Sequence, residues 1–208
     1  MTAQELAAAM QAGREEVNAA LAEGCNILMF GEMGIGNTTT SSCLMAALTG
    51  AAAEDCVGPG TGADAQGIQR KATVIRQALS RVDLSALSLE DICREFGGFE
   101  ILAMSGAMLH AAHKQTVFVV DGFICTVAAL CAVRMQADVR NWLLYSHQSA
   151  EPGHRRVLNA LEAHPLLSLG MRLGEGSGAA VAVPLLRMAC ELHGQMATFA
   201  QAGVDNRD

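Results

Sequence analysis

Two glutamates of this chain stand among glycines: Glu32 in "GEMGIGNTTTSS" (Gly31 to Ser42) and Glu175 in "LGEGSG". A carboxylate held between glycines at a strand end, against a partly desolvated cleft, can have a raised pKa and act as a general base. In a solvated turn the same residue is an acidic group favoured by the start of a helix. Both readings apply to Glu175. The first stretch packs Gly31, Gly34 and Gly36 together and contains no lysine. Backbone N–H groups at a helix start carry partial positive charge and can receive a phosphate without a basic side chain. Glycine removes the Cβ atoms that would hold a ligand off, and Asn37, Thr38 and Thr39 add side-chain donors. The Gly-Lys-Ser/Thr ending of a P-loop is absent, and so is GxGxxG. The stretch therefore reads either as an anion cradle or as a tight, capped turn. Asp121 closes the apolar run "TVFVV" and suits either sugar hydroxyls or a helix cap. His110 and His113 share a helical face and His147 and His154 flank a loop, but no third or fourth ligand follows at zinc spacing, so no metal is expected. No GxSxG elbow marks a Ser-His-Asp triad.

Positioning such residues requires strands that end where helices begin. Four β-like runs, "NILMF", "TVFVVDG", "WLLYSHQS" and "LLSLGMRLGEG", alternate with helical patterns. That alternation predicts an α/β fold with a mostly parallel sheet and helices on both faces, Rossmann-like in three layers. Ligands of such sheets bind at the carboxyl ends of the strands. The four run ends would bring Glu32, Asp121, the polar run Ser146 to Ser149 and Glu175 to one rim. Thr2 and Glu5 form a capping box for an opening helix. Further helices are predicted from Leu44 to Gly50, Ile68 to Leu79, Leu89 to Phe96 and after Phe99, and a C-terminal one in which Pro184 kinks the helix or marks a restart. No repeat or linker divides the chain, which is read as one domain, 1–208.

The 208 residues are enough for a sizeable core, with 51% hydrophobic and 17% charged residues. A net charge of −7 and no Lys/Arg run argue against a nucleic-acid surface. The longest apolar stretch, Val117 to Val133, is broken by Asp121 and Gly122 and is too short to span a bilayer, so no membrane partner is expected. Seven scattered cysteines without CxxC suit a reducing, cytoplasmic setting.

Several motifs occur in order: "FGEMGIGNTT", "VGPGTG" before "IQRKATVIRQAL", "FGGFEILAMSGAML", "VDGFICTVAAL", "SHQSAEPGH" and "MRLGEGSGAA". Together they resemble the nicotinate-nucleotide–dimethylbenzimidazole phosphoribosyltransferase family, from about Leu21 to Phe199. The resemblance implies metal-independent transfer, without a cofactor, of phosphoribose from nicotinate mononucleotide to 5,6-dimethylbenzimidazole. The products are α-ribazole phosphate and nicotinate, in cobalamin lower-ligand assembly. By the same match Glu175 is the base and Glu32 an acidic helper. Gly34, Ile35, Gly36, Asn37 and Thr38 form the phosphate cradle. Asp121, Gly122 and Ser149 lie along ribose and phosphate, Gly60 and Thr61 near nicotinate, and Lys71 near the nucleotide. Family members also carry a substantial segment ahead of the position where this sequence starts, supplying further strands and much of the benzimidazole pocket. Its absence here implies an N-terminally incomplete sheet with an exposed apolar face. It also implies a homodimer or a separate N-terminal chain as partner, and nucleotide binding ahead of turnover. The alternative is a non-catalytic nucleotide-binding fragment.

Overall fold

The computed structural model describes residues 1–60 and 62–204. In chain order the elements are α1 (Ala3–Ala22), β1 (Ile27–Phe30), α2 (Thr38–Thr49), α3 (Ala53–Cys56), α4 (Ala65–Leu79), α5 (Leu89–Phe96), α6 (Phe99–His113), β2 (Val117–Val120), α7 (Phe123–Met135), β3 (Leu143–Tyr145), α8 (Pro152–Ala160) and α9 (Ser177–Gln195). Short 3-10 turns at Leu84–Ala86 and Ala137–Trp142 complete the connections. The opening capping box is present, with the Thr2 hydroxyl accepting from the Glu5 amide and the Glu5 carboxylate accepting from the Thr2 amide. Ser88 and Asp91 repeat it at the start of α5.

The sheet has three parallel strands in the order β1-β2-β3. Register lines up Leu28 with Phe118 with Leu143, and Phe30 with Val120 with Tyr145. Because strand side chains alternate, these residues face one way, into the large core built with α1, α2, α6, α7 and α8. Val119, Ile27 and Met29 face the other way, against Ala179, Ala182 and Leu186 of α9. The sheet is thus covered on both faces, thickly on one and by a single helix on the other. α9 runs through Pro184 without a restart.

The fourth expected strand is not one. "LLSLGMRLGEG" follows β3 with an isolated parallel bridge between His147 and Leu167 and a hydrogen bond from the Ala150 amide to the Met171 carbonyl. Gly170 turns the segment with φ +65°, and Leu169 and Leu173 are exposed rather than packed. Only Leu167 of the run packs, against Val119 and α9, and a run that buries one side chain does not form a ladder.

α1 and α6 form the tightest helix pair, because their backbones meet. A Cβ on Gly13 would collide with the Ala103 carbonyl, and one on Gly106 with the Met10 backbone. Glycine therefore sets the interaxial distance. We expect Gly106→Ala to lower the unfolding free energy by about 2 kcal/mol, as overpacking does. Gly194→Ala, where nothing lies within 4 Å of a Cβ, should be neutral or mildly stabilising. Urea denaturation of both variants checks this, and equal midpoints would refute the close-contact account.

Candidate active site

The carboxyl ends of all three strands meet the start of α9. Asp121, the residue after β2, is buried, and its Oδ1 accepts the Ala179 amide at 2.9 Å while its Oδ2 accepts the Gly176 amide at 3.2 Å. It caps α9 from 55 residues away in sequence, so the helix-cap reading of Asp121 is realised through tertiary structure. Beyond β1, the Glu175 amide donates to the Glu32 carbonyl at 2.9 Å. A Cβ on Gly31 would strike the Glu175 backbone, and one on Gly174 would strike the Glu32 carbonyl. Beyond β3, a Cβ on Gly178 would enter the His147 ring. Three glycines let three loops close on one another, and the two glycine-flanked glutamates end up on adjoining loops.

Between these loops lies a cleft of about 300 Å³. Glu32, Gly34, Thr38, Gly60, Asp121, Gly122 and Ser149 line it, as expected. An adjoining hollow of about 330 Å³ shares Gly34 and Thr38 and adds Gly36 and Lys71. Lys71 Nζ reaches the Thr38 hydroxyl and the Gly58 carbonyl, each at 3.2 Å, which ties the second glycine loop to the start of α2. Other expected residues lie elsewhere. Ile35 is 69% exposed and lines neither cavity. Asn37 caps α2 by position only; its amide reaches Glu100 at 3.4 Å, and its Oδ1 is buried without a partner among the described residues. Thr61 lies outside the described residues.

Of the two readings of Glu175, its exposure is that of the solvated turn. It is exposed at the lip of the cleft, next to lining residue Gly174. Its backbone has φ +62°, a left-handed conformation uncommon for a residue with a Cβ. Glu32 is half-buried and accepts the Gly34 amide at 2.6 Å. The Gly34 N–H is therefore already engaged by the carboxylate beside it.

His147 lines the cleft as part of the rim run Ser146 to Ser149, whereas sequence reasoning missed Glu151, Arg172 and Cys125 there. Burial raises the pKa of Glu151, against the opposing effects of the Gly60 amide, Lys71 and Arg172. Burial also pushes the Cys125 thiol far up, so it stays protonated and is no nucleophile. Burial pulls His147 down and Asp121, at 4.0 Å, pulls it back. Glu151 belongs to "SHQSAEPGH" and Arg172 to "MRLGEG", so their motifs were visible although their individual positions were not.

The comparisons with known proteins fit this geometry. A phosphoribosyltransferase family model matches residues 1–204. The nicotinate-nucleotide–dimethylbenzimidazole phosphoribosyltransferase of Pseudomonas putida is 54% identical over 210 residues, all of this chain and 59% of that protein. The chain belongs to this family. The enzyme of the same name from Pseudomonas aeruginosa is 54% identical over 207 residues, again 59% of its length. Among solved structures, CobT from Thermus thermophilus superposes with a TM-score of 0.93 at 44% identity, covering 100% of this chain and 62% of that one. The chain thus spans about 59% of the length of the curated family members it matches. The α/β phosphoribosyltransferase fold is common to both.

The arrangement makes Asp121 the most sensitive single position. Asp121→Asn turns an amide hydrogen toward a backbone N–H and removes the charge facing the α9 dipole. The expected loss is about 2–3 kcal/mol, the range for a buried charged hydrogen bond. Hydrogen exchange at the Ala179 amide reads it. Unchanged protection there would show that α9 is held by its apolar contacts alone.

Proposed function

We propose that this chain carries the phosphoribosyl-transfer site of its family. It would transfer phosphoribose from nicotinate mononucleotide to 5,6-dimethylbenzimidazole, releasing nicotinate and forming α-ribazole phosphate. The observation that carries this reading is the clasp of the Glu32 and Glu175 loops over a cleft floored by three strand ends. Phosphate is read into the hollow of Gly34, Gly36, Thr38 and Lys71, where the α2 start and one ammonium supply positive potential. Ribose is read along Asp121, Gly122 and Ser149, and nicotinate near Gly60 and Thr61. One benzimidazole nitrogen bonds to C1′ as the C1′–nicotinate bond breaks, and the N–H proton of the benzimidazole passes to the Glu175 carboxylate. Attack from the face opposite nicotinate turns a β linkage into an α one. The strained φ of Glu175 supports its role, since such conformations concentrate at working sites.

A second reading is favoured by the 59% coverage and the exposure of Glu175. On that reading the chain binds the nucleotide and turns over only with a partner that closes the acceptor side. One shared apolar core supports taking 1–208 as one domain. Seven free cysteines support a reducing cytoplasm, and no helix of the described residues is long and apolar enough to cross a membrane.

For a partner we infer a second copy of the chain. Val181, Leu185, Met188 and Leu192 form an exposed stripe on α9 at the spacing of a helix–helix seam. Sedimentation should give a dimer for the parent and a monomer for Met188→Lys; a monomeric parent removes the homodimer reading and leaves a separate chain as partner.

Incubation with nicotinate mononucleotide and 5,6-dimethylbenzimidazole, followed by mass spectrometry for α-ribazole phosphate, tests the activity. Glu175→Gln should lower the rate by about 100-fold or more, as loss of a general base does, while binding of nicotinate mononucleotide persists. Binding without product from the parent selects the second reading. Neither binding nor product rejects both.

A further inference from the structure

Ser149 and Gly122 both line the cleft, and one imidazole joins them from behind. His154, in the first turn of α8, is fully buried. Its Nδ1 receives the Ser149 amide at 2.9 Å, and the Ser149 hydroxyl lies 2.8 Å from the same nitrogen. Its Nε2 lies 2.9 Å from the Thr126 hydroxyl, which donates to the Gly122 carbonyl at 2.8 Å. A backbone amide can only donate, so Nδ1 carries no proton. The neutral ring then carries its proton on Nε2 and donates it to Thr126, whose own hydrogen goes to Gly122. From the Ser149 amide to Gly122 each donor then has an acceptor, and the Ser149 hydroxyl shares the Nδ1 lone pair with its own amide. The first turn of α8 is itself fixed, since a Cβ on Gly153 would sit 2.8 Å from the Cys56 carbonyl and 3.0 Å from the Phe123 ring.

We infer that His154 is a positioning residue, a permanently neutral clamp protonated on Nε2 that holds Ser149 and Gly122 where they meet the bound nucleotide. It touches no substrate itself. A cationic ring would need a hydrogen on Nδ1, where the Ser149 N–H already points. The titratable group facing it is His147, whose ring stands edge-on at 6.0 Å. Burial, and secondarily His147, depresses the pKa of His154 from 6.5 to about 3. The sign follows: above the unfolded value the ring is neutral in both states and costs nothing. As pH falls below it, the unfolded chain takes up a proton that the folded chain refuses, so stability declines from about pH 6.5 toward the folded value.

Only the ligand-binding part of the test rests on the proposed nucleotide site. In the nitrogen-15-labelled chain, His154 should show an unprotonated Nδ1 and a protonated Nε2, unchanged from about pH 7.5 to about pH 5. A protonated Nδ1, or titration of this ring near the ordinary value, overturns the inference. Calorimetry with nicotinate mononucleotide should show His154→Leu and Thr126→Val about tenfold weaker, the equivalent of one lost hydrogen bond. His154→Asn, whose amide oxygen can take the place of Nδ1 against the Ser149 N–H, should recover most of that loss. Variants that bind like the parent overturn the inference. Thr126→Val keeps the test alive if His154→Leu does not fold. If the parent binds no nucleotide, the functional reading fails on its own. The clamp then stands or falls on the ring nitrogens and on whether the Ser149 amide resonance moves in Thr126→Val.

Discussion

A buried carboxylate at the end of the central strand organises this molecule. Asp121 accepts two amides from the first turn of α9, and the favourable alignment of its charge with the helix dipole offsets the cost of removing it from water. Fixing α9 there has three consequences. The helix lies along the second face of the sheet, where Ala179 and Ala182 pack on Val119. The loop ahead of it is pressed against Gly31 and Glu32 beyond β1. Gly178 is pressed against His147 beyond β3. One ion thus sets the spacing of all three strand-end loops, and the cleft is the space left among them.

Behind that cleft the polar groups are arranged to need no mobile charge. His154 and Thr126 bridge the Ser149 amide to the Gly122 carbonyl through a continuous chain of hydrogen bonds. Lys71 bridges the two glycine loops. In front, the Gly34 amide is held by Glu32, and Glu175 stands in solvent. A rigid back and an open front suit a site whose floor must be ready before a ligand arrives, because positioning supplied in advance lowers the cost of ordering reactants.

Much of this was legible in the residues. Local chemistry announced itself: the Thr2 capping box, the termination of α2 at Gly50 with φ +72°, and the apolar runs of β1, β2 and β3. The glycine loops and the convergence of Glu32, Asp121 and Ser149 on one rim followed from parallel topology alone. What did not follow depended on distant partners. The "LLSLGMRLGEG" run has the composition of a strand but buries only Leu167, against Val119 and α9, so it stays irregular. The cap of Asp121 lies on a helix 55 residues away, and no spacing rule reaches that far. His154 looks like any loop-flanking histidine until the fold seals it between α7 and the Ser149 loop.

The exposure of Glu175 follows from the same constraint that places it. Gly174 leaves no room for a side chain beside the Glu32 carbonyl, and Gly176 adopts a left-handed φ of +79° as it donates its amide to Asp121. With both neighbours turned inward, the residue between them has to point out, and a left-handed φ is the conformation that achieves this. A residue built in this way is held firmly by its backbone while its side chain stays exposed. In this architecture the position of Glu175 therefore belongs to the strand-end clasp, through its amide on the Glu32 carbonyl and the close approach of Gly31 and Gly174.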